Sequence, residues 1–318
     1  MKKKNKTRLG RIGVLMGGPS SEREISLKSG KAVFEALSSC GEQVIAIDIR
    51  KESAAENIKL INSFGIDCAF LALHGRFGED GTIQMILESM RIPYTGSGVL
   101  ASKLAMDKVS SRRIFQKGKL LVPKHKVLNK RSFKKSDLAG ISLGDCLVVK
   151  PAGQGSSIGL SMIQGNAGLG KAVNLAFEYD DCVIIEEYIK GREMTVGILG
   201  KSALPVIEII PKHAFFDFEA KYKAGLTDYI VPAKIDKKTA MRLQQAALSA
   251  HKLLGCFGCS RSDLILDKKG NIYMLEVNTI PGMTATSLLP KAAGKVGIKF
   301  EELCLRLIES AYEKNKKH

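Results

Sequence analysis

No run in the 318-residue sequence approaches the roughly 18 consecutive apolar residues of a membrane-spanning helix, so insertion into a bilayer is not expected. The basic start MKKKNKTRLG is followed only by a short apolar IGVLM that ends in Gly-Gly, without a small-residue cleavage pattern. The expected location is cytoplasmic. The seven cysteines are an odd number, and the single C-x-x-C, Cys256 and Cys259, has no second pair or His-x-His companion to complete the four ligands of structural zinc. Reduced thiols filling apolar segments are the simpler account. Internal repeats and low-complexity linkers are missing. So are two familiar nucleotide loops: Gly17-Gly18-Pro19 does not supply G-x-G-x-x-G, and G-x-x-x-x-G-K-[ST] occurs nowhere.

Negative charge is in the minority, with 32 Asp and Glu against 49 Lys and Arg, a net +17. Lys2, Lys3, Lys4, Lys6 and Arg8 supply five of these charges, the C-terminal tail adds two, and +10 remains dispersed over the body. No aromatic-interleaved stretch accompanies it, so a solvated surface that attracts anionic nucleotides is expected rather than nucleic-acid binding. A hydrophobic content of 45% over this length suits two or three packed subdomains.

IGVLMGG, SSEREISLKSGKAVFEALSS and QVIAIDI read as strand, capped helix and strand, the start of an α/β domain with a doubly wound parallel sheet. CAFLALHG (68–75) predicts a third strand, GTIQMILESM a helix and IPYTGSG a turn. From residue 104 the stretch LAMDKVSSRRIFQKG predicts one basic helix. LVVKPAGQGSSIGLSMI then reads as strand, glycine loop, strand, and CVIIEEYIKGREMTVGIL as two further strands. Residues 211–234 lack periodicity and predict a long functional loop. KKTAMRLQQAALSAHKLLG is an amphipathic helix on which His251 is expected to pack or lie at the surface.

CSRSDLILDKKGNIYMLEVN predicts a hairpin turning at Lys268 to Asn271. If Asp267 faces Ile272, Asp263 lies opposite Glu276 and Arg261 opposite Asn278, with Cβ atoms about 4.5–5.5 Å apart. Two carboxylates so placed repel unless a cation separates them. An oxygen-only set of Asp263, Glu276 and Asn278 favours a hard ion such as Mg²⁺. Upstream, Lys150 ends a strand and leads into Pro151-Ala152-Gly153-Gln154-Gly155-Ser156-Ser157, small residues whose N–H groups can approach phosphate. Together the two features point to ATP.

The segments GGPSSEREISLKSG, LALHGRFGEDGTIQ, IPYTGSG, MDK, VVKPAGQGSSIG, FFDFEAKY and LEVNTIPGMTATSLLP, in this order, resemble the D-alanine:D-alanine ligases of the ATP-grasp superfamily from Arg11 to about Glu309. The resemblance implies three subdomains, 1–103, 104–188 and 189–318, and a homodimer. It implies ATP-driven joining of two D-alanines through an acyl phosphate for peptidoglycan synthesis, with two Mg²⁺ ions, or Mn²⁺ as a substitute, on Asp263, Glu276 and Asn278. Lys108, Lys150, Lys221, Ser156 and Ser157 then surround the phosphates, adenine sits at Glu186, Glu187 and Ile189, and ribose on Glu193. Glu22 takes the first D-alanine's ammonium in a network with Ser156 and Tyr222, and His74 is a nearby polar partner. Arg261 and the Gly282 N–H stabilise the oxyanion, while Ser287 and Leu288 receive the second D-alanine. Ser262 between Arg261 and Asp263 departs only at a variable spot. The competing acceptors are D-lactate and D-serine, although Tyr222 within EAKY matches the dipeptide-forming members.

Tyr222→Phe removes one hydroxyl from the loop expected to close over the substrates, a loss of roughly 1–3 kcal/mol if its partner is buried. The expected outcome is a product mixture that shifts from dipeptide towards depsipeptide when D-alanine and D-lactate compete. An unchanged ratio across pH detaches Tyr222 from acceptor choice.

Overall fold

The computed structural model describes residues 9–155, 158–212 and 227–315. The first domain opens with β1 (Arg11–Gly17), α1 (Arg23–Ser39), β2 (Gln43–Ile49), α2 (Ala54–Phe64), β3 (Cys68–Leu71) and α3 (Thr82–Ser89). β1 lies between β2 and β3, parallel to both. Its continuous apolar run is what a strand covered on both faces requires.

Helix α1 buries Ser26, Ser29, Gly30, Val33 and Leu37, and the small members let it approach the sheet closely. A Cβ on Gly30 would fall 2.4 Å from Met16 Cβ. The Ser26 hydroxyl accepts from Gly17 N–H at 2.8 Å and donates to Ala72 O at 2.6 Å. That second bond diverts the Ala72 carbonyl from the ladder, which is why β3 stops at Leu71 rather than running to residue 75 as expected. Ala72, Leu73 and His74 continue as buried chain towards the sheet's C-terminal edge.

The expected basic helix is two helices, α4 (Val99–Met106) and α5 (Lys108–Lys117). Asp107 is extended between them and its side chain accepts the Val109 N–H at 2.9 Å, so it caps α5 instead of continuing α4. The break turns Lys108, Ser111, Arg112 and Phe115 inward.

β4 (His125–Asn129), β5 (Cys146–Pro151), β6 (Ser161–Gln164), α6 (Leu169–Phe177) and β7 (Cys182–Glu187) follow. They form an antiparallel sheet ordered β4-β7-β5-β6, covered by α6. β8 (Gly191–Leu199), β9 (Ser202–Ala203), β10 (Ile207–Pro211) and β11 (Thr227–Ile230) come next. The expected loop over 211–234 is shorter at its far end, because β11 pairs antiparallel with β10. α7 (Lys237–Leu253), β12 (Cys259–Asp267), β13 (Ile272–Asn278), α8 (Leu288–Lys295) and α9 (Phe300–Asn315) complete the chain. The sheet order is β11-β10-β8-β12-β13, with β9 beside β8.

The chain returns on itself: Leu303, Leu307 and Ile308 of α9 share a core with Ile12, Val14 and Phe70 of the first sheet. Phe115 of α5 packs with Val196 and Leu243 beneath the β8 sheet. All seven cysteines are free, and burial pushes the thiols of Cys256 and Cys259 up to about 11 and about 12. Among the described residues no helix is long and apolar enough to cross a membrane.

His251 packs on the inner face of α7, with its Nδ1 2.7 Å from Ser260 Oγ. Burial, with the charge of Lys252 adding to it, pushes its pKa from 6.5 down to about 4. Between those values the unfolded chain holds the extra proton, so stability falls as pH drops through that window and this contribution is complete above it. Unfolding in urea should show about 2 kcal/mol of this loss between about pH 7 and about pH 5. His251→Gln should flatten the dependence, and an equal slope in the variant would remove His251 as its source.

Candidate active site

On the β12–β13 hairpin Asp263 pairs with Glu276 and Arg261 with Asn278, as expected. Nearer the turn the register differs from the expected one. Ile272 lies opposite Leu266, not Asp267, whose Oδ1 instead accepts the N–H groups of Lys269 and Asn271 at 2.8 Å each. An Asp that binds backbone just ahead of it belongs to the turn. The turn is thus a residue longer, and a bulge between Asp263 and Leu264 restores the register by leaving Leu275 unmatched.

The carboxylate pair is held by cations on either side. Arg261 forks onto Asp263, with Nε 3.0 Å from Oδ1 and Nη2 2.8 Å from Oδ2, and Thr195 of β8 donates to Oδ1 at 2.7 Å. Lys108 Nζ sits 3.3 Å from Glu276 Oε2 and also donates to the Gln154 carbonyl at 2.7 Å. Lys108 therefore ties the hairpin to the glycine loop. Asn278 Oδ1 accepts the Ile280 N–H at 2.9 Å, leaving a second lone pair on that oxygen. Among the described residues no group of three or more His, Cys, Asp or Glu could hold a metal ion. Two carboxylates and an amide on one face of the hairpin nonetheless make an all-oxygen set, which suits a hard divalent cation.

Behind this lies a buried ion cluster. Lys150 and Glu186 sit diagonally on the paired strands β5 and β7, with Nζ 2.7 Å from Oε1, and Arg112 closes on Oε2. Burial alone would raise the Glu186 pKa, but Lys150 and Arg112 outweigh it and hold the carboxyl below the usual range. Burial lowers the Lys150 pKa; Glu186 opposes this, while Arg112 and Lys108 reinforce it. Sequence reasoning missed Arg112, which on a helix rich in basic residues reads as solvated. The available signal was position: Lys108, Ser111, Arg112 and Phe115 follow the i, i+3, i+4, i+7 spacing of a core-facing stripe.

Two cavities meet here. One, of about 190 Å³, is an apolar slot between Val148, Leu160 and Met162 on one side and Met194, Leu264 and Leu275 on the other, with Lys150, Glu186, Glu187, Ile189 and Glu193 also lining it. Glu187 turns its Oε1 onto the Lys124 N–H at 2.7 Å, so its side chain has a backbone partner already. The second cavity, of about 420 Å³, gathers Glu22, His74, Arg261, Asn278, Gly282, Ser287 and Leu288. Lys108, Gly155 and Glu276 line both.

Glu22 is buried at the N-terminus of α1 but caps no helix N–H with its side chain. A Cβ on Gly155 would lie 2.8 Å from Glu22 Oε1, so a side chain there would push the Glu22 carboxylate from its place. Ser287 Oγ accepts the Thr284 N–H at 3.1 Å and lies 2.9 Å from where a Gly282 Cβ would stand. Ser156, Ser157, Lys221 and Tyr222 lie outside the described residues.

Family models described as D-ala D-ala ligase N-terminus match residues 11–62 and 56–97, and one described as D-ala D-ala ligase C-terminus matches residues 114–309. The chain belongs to the D-alanine–D-alanine ligase family. It is 46% identical over 312 residues to the D-alanine–D-alanine ligase of Pelotomaculum thermopropionicum, covering 95% of this chain and 97% of that one. The enzyme of the same name from Geotalea uraniireducens is 46% identical over 301 residues, 95% of each chain. The crystal structure of the Bacillus anthracis D-alanine–D-alanine ligase complexed with ATP superimposes with a TM-score of 0.83 at 34% identity, covering 97% of this chain and 99% of that one. The VanG D-Ala:D-Ser ligase from Enterococcus faecalis gives 0.80 at 31%, covering 95% and 99%. The fold is ATP-grasp, as in these ligases. Lys108 and Arg112 fall between the regions matched by the two family models; the resemblance in MDK marks Lys108, whereas Arg112 is singled out by geometry alone.

Arg112 is fully buried, and its Nε and Nη1 reach no acceptor among the described residues. Glu186 is its charge partner. Arg112→Met should leave that carboxylate undercompensated and lower unfolding stability by about 3–5 kcal/mol in urea titration, with Arg112→Lys losing less. Equal stability of Arg112→Met and the parent would mean the cluster is solvated in solution.

Proposed function

We propose that this protein joins two D-alanine molecules into D-alanyl-D-alanine, converting ATP to ADP and phosphate, for peptidoglycan precursors. The observation that carries the reading is the common wall of Lys108, Gly155 and Glu276 between an apolar slot and a larger, more polar cavity. A γ-phosphate reaching from the first to the second crosses that wall. The relatives named D-alanine–D-alanine ligase at 46% identity support D-alanine over D-lactate or D-serine as acceptor.

In this reading adenine lies along Glu186, Glu187 and Ile189, ribose meets Glu193, and Lys108, Lys150, Lys221, Ser156 and Ser157 surround the phosphates. Asp263, Glu276 and Asn278 would hold Mg²⁺, two ions in all or Mn²⁺ instead, which supplies charge neutralisation for phosphoryl transfer when bound. Glu22, with Ser156 and Tyr222, anchors the first D-alanine's ammonium, and His74 lines its subsite. The first substrate's carboxylate attacks the γ-phosphate, and the second's amine attacks the resulting acyl phosphate. Arg261 and the Gly282 N–H face the oxyanion of the tetrahedral intermediate, and phosphate leaves. Ser287 and Leu288 orient the second D-alanine. Three subdomains, 1–103, 104–188 and 189–318, working as a cytoplasmic homodimer, belong to the same proposal.

The test incubates the protein with ATP and Mg²⁺ and D-alanine, D-lactate or D-serine, and identifies products by mass. D-alanyl-D-alanine with equimolar phosphate is expected; salt-sensitive DNA binding without turnover would replace the ligase by a nucleic-acid reading. Asp263→Asn and Glu276→Gln should each abolish phosphate release while circular dichroism stays unchanged, since each removes charge from the hairpin and not apolar area from the core. Normal turnover of either at limiting Mg²⁺ removes the hairpin from metal binding.

A further inference from the structure

A second hydroxyl of α1, Ser29, is fully buried beside the acceptor-side loop and has no role in the reaction outlined above. Its Oγ lies 2.9 Å from His74 Nε2 and 3.3 Å from the Met283 backbone nitrogen. The other His74 nitrogen, Nδ1, is 3.1 Å from the Ile280 carbonyl. All four residues are buried.

The directions of these bonds are determined by counting protons. Met283 N–H can only donate, so Ser29 Oγ accepts it; the Ile280 carbonyl can only accept, so His74 Nδ1 carries a proton. The single hydroxyl proton of Ser29 then goes to His74 Nε2, which must be bare. With Nε2 protonated instead, Ser29 would receive two donors and its own proton would have no recorded acceptor among the described residues. Glu79 Oε1, the nearest carboxylate to Nδ1, is 3.7 Å away and accepts the Gly75 N–H at 3.0 Å. It is too distant for a hydrogen bond to the ring.

The chain Met283 N–H to Ser29 to His74 to Ile280 O starts and ends on one loop, at two residues that flank Pro281 and Gly282. Asn278 Oδ1 pins the Ile280 N–H from the opposite side at 2.9 Å. We infer that Ser29 is a positioning residue: by selecting the Nδ1–H tautomer of neutral His74, it clamps the Ile280–Met283 loop and fixes the direction in which Gly282 presents its N–H. The inference rests on the ligase reading for what that N–H does, but not for the clamp itself. It also links the first-substrate wall, where His74 stands, to the acceptor loop through hydrogen bonds alone.

The experiment has two arms. In the first, NMR of protein carrying ¹⁵N-labelled histidine, with His74 assigned by His74→Gln, reads the ring without turnover. A protonated Nδ1 and bare Nε2 near neutral pH are expected, with the preference relaxed in Ser29→Ala; an Nε2–H ring in the parent overturns the clamp. In the second, Ser29→Ala should lower kcat about tenfold, the equivalent of one transition-state hydrogen bond, while KM for ATP stays within about twofold. Ser29→Thr, which restores the hydroxyl, should recover most of the loss. Unchanged kcat in Ser29→Ala overturns the positioning role. A parent that releases no phosphate with D-alanine defeats the ligase reading instead, and the NMR arm still decides the clamp.

Discussion

The site is organised around two carboxylates that a hairpin forces into the same place. Asp263 and Glu276 are directly paired on one face of the two-stranded ladder that also carries Arg261 and Asn278. Like charges at that spacing are tolerable only with cations beside them, and the chain supplies one from nearby and one from far away in sequence. Arg261 comes from the same strand, whereas Lys108 comes from the start of α5 and reaches Glu276 only because Asp107 ends the preceding helix. Lys108 then draws in the Gln154 carbonyl and with it the glycine loop. Electrostatic compensation of one hairpin thus sets where two other elements dock.

A second charge balance underlies the first. Glu186 is buried between Lys150 and Arg112, and without both cations its ionised form could not persist away from water. With Glu186 held ionised, Lys150 stays fixed at the end of β5, facing the slot rather than folding back along the strand. The two clusters are neighbours, since Lys108 and Glu276 also act on Lys150. The site is therefore a continuous network of alternating sign, which explains how so many lysines and carboxylates are buried together.

Much of this was legible in the sequence because strands impose a period of two. Glu276 and Asn278 had to share a face, and Asp263 and Arg261 had to face them if the hairpin closed near Lys268. The bulge at Leu275 was not legible: the register near the turn was misread by one, and the pairing at Asp263 came out as expected only because the bulge cancels that offset. The split at Asp107 was hidden because a continuous run of helix formers and basic residues gives no breaker such as Gly or Pro. Arg112 and Ser29 were missed for a related reason. Each is a polar residue at a core-facing helical position, and its partners, Glu186 in one case and His74 and Met283 in the other, lie dozens to hundreds of residues away. Periodicity shows that a residue faces inward, but not what it meets there.

The common wall has a consequence for inhibition. A compound joining an adenine mimic to an amino-acid mimic would cross from one cavity to the other beside Lys108 and Glu276 without leaving the protein. Its halves would act as tethered ligands, the second binding at an effective concentration set by a linker only a few bonds long. Rigidity of that linker would matter more than its contacts. Because a side chain at Gly155 would displace the Glu22 carboxylate, a mutation there that blocks such a compound would also disturb the substrate wall.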